Sequence, residues 1–176
     1  MFPKLKTSIR DILWKIMRID GIGGIPKIGK FLMKKFHKVG GKKKSINILK
    51  NGLLKIVKLM NENIMREAIE KVLAAMRKDY IRWSGPERSK IKDEMIDEYC
   101  YGLEVDENRR YWKIVSTNGG GTQRSVAGFI VKAGDKKFRE GDMLKAAGWA
   151  APARNFARGN VLDETGFNNV RWTGIG

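Results

Sequence analysis

The side chains best suited to binding chemistry lie in one long loop near the C-terminal end of the sequence. Trp149, Arg154, Phe156 and Arg158 follow one another within twelve residues, 149–160. A guanidinium forks onto phosphate oxygens and an aromatic ring stacks on a nucleobase, so this combination is typical of a nucleic-acid contact. The structural alternative is that Trp149 and Phe156 fasten the loop to the protein while the two arginines bond carbonyl groups of the loop itself.

A second group of candidate binding residues is cationic and lies at the opposite end of the chain. The first 60 residues carry 16 Lys/Arg against two Asp, which places +14 of the total charge of +17 there. Such clustering favours contact with nucleic acid or with anionic lipid heads, because each cation displaces a counterion or enters a negative surface potential. The predicted polyanion-binding residues are Lys4, Lys6, Arg10, Lys15, Arg18, Lys27, Lys30, Lys34, Lys35, Lys38, Lys42, Lys43 and Lys44.

Residues that support catalysis or metal binding are scarce. His37 is the only histidine and Cys100 the only cysteine, which argues against His-based catalysis, ordinary zinc sites and any intrachain disulfide. Cys100 follows an apolar position of a predicted helix, where a buried and inert thiol is expected. The glycines at 119–121 are not followed by the Lys-Ser/Thr of a phosphate-binding loop, so they predict a hairpin turn.

The acidic residues give no stronger indication of an active site. Asp93, Glu94, Asp97 and Glu98 have the spacing of a solvated helix face, although one turn of carboxylates also suits a cation. Glu104, Asp106 and Glu107 are the only plausible acid/base groups, and nothing in their spacing singles them out. We therefore expect a protein that is not an enzyme and that uses no cofactor and no metal.

Helical periodicity runs through the first two thirds of the chain. Apolar residues at helical spacing predict an amphipathic helix over about 8–19, and a glycine-rich hinge separates it from a second short helix opened by Pro26. After a break of glycines and lysines, Ser45 is the expected cap of a long helix that ends at 84–86. Apolar residues from Ile91 to Leu103 predict one more helix.

From Arg110 onward the sequence pattern is typical of short β-strands. Residues 111–117 are aromatic and β-branched, and together with 125–132 they predict a hairpin around the glycine turn. Residues 141–146 and 169–173 predict two further strands, with a loop from about 148 to 168 between them.

These patterns predict an α+β fold. Its parts are a basic helical N-terminal arm and a long helix, followed by a small antiparallel β-sheet or partly open barrel. The expected division is a hinged arm over 1–44, a helical region over 45–109 and a β domain over 110–176.

One family resemblance covers residues 110–176. It rests on four motifs: Gly128-Phe129-Ile130-Val131; Phe138-x-x-Gly141-Asp142-x-Leu144-Lys145-Ala146-Ala147; Trp149-x-Ala151-Pro152-Ala153-Arg154-x-x-Ala157-Arg158-Gly159-Asn160; and Arg171-Trp172-Thr173-Gly174. This segment resembles a small C-terminal module in uncharacterised proteins of large algal DNA viruses and marine tailed phages. The resemblance implies a viral source and a role in the virion, and it supplies no catalytic residue.

The function expected from the sequence is that of a virion-associated or minor capsid protein. Its basic arm contacts nucleic acid or an anionic membrane, its β module docks on other virion proteins, and a homo-oligomer is left open. The alternative is a membrane-active or nucleic-acid-binding accessory protein outside the capsid, in the host cytoplasm. The apolar stretches are broken by lysines every few residues, so no transmembrane span is predicted.

Overall fold

The computed structural model describes residues 43–176, and their side chains from residue 51 onward except at Leu53. The two helices predicted for the arm, its hinge and the cations from Lys4 to Lys42 lie outside the described residues. Lys43 and Lys44 lie in the first described helix, but their side chains are not described. The chain divides after Met60, and residues 61–176 form one compact unit.

Helix α1 spans Lys43–Trp83. It already includes Lys43 and Lys44, so the prediction that Ser45 caps it was wrong. Lysine has a good helix propensity, which is consistent with helix before Ser45. Within the compact unit α1 buries one stripe at helical spacing, namely Met65, Ala68, Ile69, Val72, Leu73, Met76 and Tyr80. The helix ends as predicted, where Gly85 adopts a φ of 81° and its N–H bonds Arg82 O at 3.2 Å.

Helix α2 spans Lys90–Tyr101 and begins where the Ser89 side chain accepts a hydrogen bond from the Lys92 N–H. Leu103 was predicted in this helix and instead begins strand β1, Leu103–Glu107. The change occurs at Gly102, where a Cβ atom would fall 2.0 Å from Thr117 O of the neighbouring strand. Only glycine permits so close an approach of the two backbones.

The predicted hairpin is confirmed. Strands β2 (Tyr111–Asn118) and β3 (Gln123–Val131) pair antiparallel, and the glycines of the turn all have positive φ. Strand β1 flanks β2 and the short β4 (Met143–Leu144) flanks β3, which gives an open four-stranded antiparallel sheet in the order β1-β2-β3-β4. The fold is therefore α+β with a sheet rather than a closed barrel.

The C-terminal residues form a second, smaller sheet. The strand predicted over 169–173 is a hairpin of β5 (Val170–Arg171) and β6 (Gly174–Ile175), preceded by a 3₁₀ turn over Phe167–Asn169. Ile175 packs so closely over Gly128 that a Cβ there would lie 2.6 Å from the Ile175 Cδ1. This hairpin therefore closes the hydrophobic core beneath β3.

The two faces of the main sheet are covered differently. One face packs on α1 and α2 through Trp112, Ile114, Ile130 and Met143. The opposite face, which we call the loop face, is covered in part by the connection 132–158 and holds a small core of Tyr111, Phe129, Val131, Phe138 and Leu144. Alternation along β2 assigns Tyr111, Lys113 and Val115 to the loop face.

Candidate nucleic-acid interface

Trp149 projects from a tight turn in the long loop, above the loop face. The turn is closed by backbone hydrogen bonds from Ala147 and Gly148 to Ala151 O, at 3.1 and 3.2 Å. The Ala153 N–H also bonds Lys145 O at 2.8 Å. Because the backbone holds this turn, the Trp149 side chain is not needed to fasten it, and 48% of Trp149 is exposed.

Two cations from the sheet lie against the Trp149 ring. Lys113 Nζ lies 4.2 Å and the Arg124 guanidinium carbon 5.5 Å from the ring centroid. Both distances are within the range at which a cation is attracted by an indole face. We call the surface formed by Lys113, Arg124 and Trp149 the stacking surface.

Carboxylates of β1 position the two cations. Lys113 is almost fully buried and its Nζ lies 3.1 Å from Asp106 Oδ2, while Arg124 Nη2 lies 3.3 Å from Glu104 Oε2. Asp106 faces Lys113 directly in the strand register, so this pair crosses adjacent strands. The acid/base candidates Glu104 and Asp106 thus take part in ion pairs, and these leave the stacking surface close to neutral.

Phe156 and Arg158 form a second exposed aromatic–cation pair in the same loop. Phe156 is 58% exposed, and the Arg158 guanidinium carbon lies 3.7 Å from its ring centroid. Arg158 Nη1 also donates to the backbone oxygen of Phe156 at 3.4 Å. This bond agrees with the structural alternative, in which the arginines bond carbonyl groups of their own loop. That alternative does not account for the exposure of the two rings, which leaves them open to a ligand.

Arg154 has a different environment from the other three predicted loop residues. Its two terminal nitrogens donate to the two oxygens of Asp135 at 2.9 Å each, and one of them also donates to the Tyr111 hydroxyl. Hydrogen bonds from Arg154, followed by that from the Lys137 N–H, hold the pKa of Asp135 well below its usual range. Arg154 therefore ties the loop to the sheet. It is not part of the stacking surface, and its predicted role in ligand binding remains a prediction.

Positive charge is unevenly distributed over the compact unit. The connection 132–158 carries seven Lys/Arg against three Asp/Glu, whereas the whole of 61–176 carries 20 against 17. Two of those three carboxylates, Asp135 and Asp142, accept hydrogen bonds within the loop. The connection that covers part of the loop face is thus more cationic than the rest of a nearly neutral unit, which favours an anionic ligand there.

Sequence reasoning missed Lys113 and Arg124. The loop residues were found because arginines and aromatics are contiguous there, but the two strand cations lie 36 and 25 positions before Trp149. The available signal was the alternation of β2, which carries Tyr111, Lys113 and Val115 on one face. Their approach to Trp149 depends on strand register and on the path of the loop, which no local pattern specifies.

Acidic residues of α2 and the cysteine, which were other candidates from the sequence, take part in contacts within the protein. Asp93 pairs with Arg88 at 2.9 Å, and Glu98 accepts the Gly120 N–H at 2.7 Å. Burial raises the pKa of the half-buried Cys100 thiol. Over residues 43–176 no cluster of His, Cys, Asp or Glu could hold a metal ion, and no helix there is long and apolar enough to cross a membrane.

Comparison with known proteins identifies one family. The model of a family of unknown function, DUF7717, matches residues 54–175. No curated protein and no solved structure matches the chain. The matched span includes the whole stacking surface, whereas 14 of the chain's 36 Lys/Arg precede it.

Proposed function

The chain belongs to the DUF7717 family of unknown function, and from this premise we propose that it is a non-enzymatic, virion-associated protein that binds nucleic acid. The cations of its N-terminal segment neutralise phosphates, and the stacking surface holds unpaired bases. The observation that carries the proposal is the Trp149 ring, which is half exposed and has Lys113 and Arg124 against it. The resemblance of residues 110–176 to a module of viral proteins supports the proposed place in the virion.

The two parts of this proposed interface contribute differently. The stacking surface is nearly neutral because Asp106 and Glu104 balance its cations, so it offers an aromatic face rather than a strong field. Long-range attraction comes instead from the +14 charge of the first 60 residues. Stacking accepts any base, and scattered lysines contact backbone phosphates, so the expected binding is independent of sequence.

Protein docking is the second part of the proposal. We assign it to the side of the unit that carries α1 and α2, which we call the helix side. Trp83 at the end of α1 is 61% exposed and packs on Trp172 with ring centroids 4.7 Å apart. Exposed aromatic residues are enriched in protein–protein interfaces. We therefore assign contacts with other virion proteins to this side, and contacts with nucleic acid to the loop face.

The test is binding of the full chain to a fluorescein-labelled 20-nucleotide oligothymidylate, measured by anisotropy at several salt concentrations. If eight of the 16 N-terminal cations contact phosphate, log Kobs falls against log[NaCl] with a slope of about −6 on a single strand. Anionic phosphatidylserine vesicles added as competitor test the membrane alternative. Binding that does not respond to salt, or binding to vesicles without binding to DNA, would overturn the proposal.

A further inference from the structure

An open cavity of about 330 Å³ lies at the end of the sheet where β1 turns into β2. It is lined by Arg109, Arg110, Lys132, Ala133, Gly134 and Asp135. The Lys132 N–H bonds Arg110 O at 3.0 Å, which fixes the segment leaving β3 beside the turn that precedes β2. The cavity therefore lies between the β1–β2 turn and the segment that follows β3, which this backbone hydrogen bond holds together.

Three cationic residues line this cavity, and they differ in how strongly they are bonded to other residues of the protein. The exposed Arg109 makes no ion pair or hydrogen bond with any residue of the described range 43–176. Arg110 reaches Asp135 only at 3.5 Å, the long limit of a hydrogen bond. Lys132 bonds Glu107 at 2.6 Å and lies with its Nζ 4.3 Å from the Trp112 ring centroid.

The carboxylate in the wall does not neutralise this site. Both oxygens of Asp135 are held by Arg154, and Oδ1 also accepts the N–H groups of Lys137 and Phe138. The cavity and the residues paired with its walls include four cations and two carboxylates: Arg109, Arg110, Lys132 and Arg154 against Glu107 and Asp135. The excess of positive charge is greatest at Arg109 and Arg110.

We propose that this cavity, the anion pocket, binds a terminal phosphate group of nucleic acid. A phosphomonoester carries up to two charges and three strong acceptor oxygens, which matches a site lined by three cations, with Arg109 unpaired within the described range and Arg110 weakly paired, better than a phosphodiester does. A cavity of about 330 Å³ is ample for one phosphate group.

The anion pocket and the stacking surface are joined through β2, so this inference rests on the proposed function and extends it. The Arg110 guanidinium lies over the Tyr111 ring at 5.4 Å, and Lys113 lies against Trp149. Tyr111 and Lys113 are two residues apart on the loop face, which corresponds to about 7 Å along the strand. A strand whose terminal phosphate occupies the pocket therefore brings its first bases close to Trp149.

The experiment compares two 12-nucleotide oligothymidylates, one with a 5′-phosphate and one with a 5′-hydroxyl, bound to the full chain at 150 mM NaCl. We expect the phosphate to strengthen binding about tenfold, as charge-assisted hydrogen bonds of this kind do. Arg109→Gln together with Arg110→Gln should abolish that preference. Arg88→Gln is the matched control, since it removes an exposed arginine from the turn between the helices.

The outcomes separate this inference from the proposed function. Equal affinity for the two oligonucleotides, with binding otherwise intact, overturns the pocket and leaves nucleic-acid binding in place. If neither oligonucleotide binds, the proposed function fails, and the pocket is then tested with inorganic phosphate by the side-chain Nε–H NMR signals of Arg109 and Arg110. Phosphate-dependent shifts of these two signals, absent from Arg88, support the pocket, and unchanged signals overturn it.

Discussion

Lys113 Nζ lies 4.2 Å from the centroid of the Trp149 ring. This contact joins a nearly buried strand lysine to the half-exposed tryptophan of the turn above it. Lys113 and Arg124 both lie against the indole, and 48% of Trp149 remains exposed to solvent. Trp149 is therefore oriented without being covered, which is the arrangement that a base-stacking residue requires.

Trp149→Ala should weaken binding of oligothymidylate about tenfold, because stacking on an aromatic residue contributes about 1–3 kcal/mol per base. Trp149→Phe should retain most of the affinity. Thermal stability should change little, since the turn is closed by backbone bonds. Anisotropy titrations measure the affinity, and Trp83→Ala on the helix side is the matched control. Equal losses in the two alanine variants would contradict a specific role for Trp149.

The ion pair between Asp135 and Arg154 should make folding sensitive to acid. The pKa of Asp135 is lowered in the folded protein, so its contribution is present above the unfolded pKa of about 3.9 and is lost as pH falls toward the folded value. Asp135→Asn should lower the melting temperature at pH 7 and flatten its decrease below pH 4. Melting curves from pH 7 to pH 2 measure this, with Asp97→Asn as the control. An unchanged melting temperature at pH 7 would argue against the pair.

Gly102→Ala should destabilise the compact unit strongly. The added Cβ would meet the backbone oxygen of Thr117 at 2.0 Å, so α2 or β2 must move. Such overpacking costs about 1–3 kcal/mol, and here a backbone atom rather than a flexible side chain must yield. Gly148→Ala, which has open space around it, should change the free energy of unfolding by less than about 0.5 kcal/mol. Urea unfolding compares the two, and equal effects would contradict the geometry.

Asn160 should be intolerant of a charge at its buried position. Its amide donates to Asp142 Oδ1 at 2.8 Å and to Glu140 O at 2.9 Å. Asn160→Asp replaces this donor by a carboxylate facing Asp142, at an expected cost of about 2–3 kcal/mol at pH 7. The loss relative to wild type should shrink at pH 4, where one of the two carboxyls takes up a proton. Asn155→Asp on the exposed loop is the control in the same urea titrations.

The helices and the hairpin could be predicted from the sequence because the patterns that specify them lie within short stretches of the chain. The stripe from Met65 to Tyr80 repeats every three or four residues, and the glycines at 119–121 separate two β-rich runs. Strand β1 was missed because Leu103 continues the apolar spacing of α2. What ends that helix is the close approach of Gly102 to Thr117, which is a tertiary contact.

The candidate site could be predicted only in part, because several of its contacts join residues that are far apart in the sequence. Residue types identified Trp149, Phe156 and Arg158, all of which reach the surface. They could not show that Arg154 meets Asp135, because that pair depends on how the loop crosses the sheet. The anion pocket likewise forms only when the β1–β2 turn lies beside Lys132.

Ultraviolet crosslinking of the full chain to oligothymidylate, followed by mass spectrometry of the peptides, tests directly whether the loop residues contact bases. We predict thymidine adducts on Trp149 and Phe156 within residues 145–158. Adducts confined to the helix side at Trp83 and Trp172, with none on the loop, would contradict it.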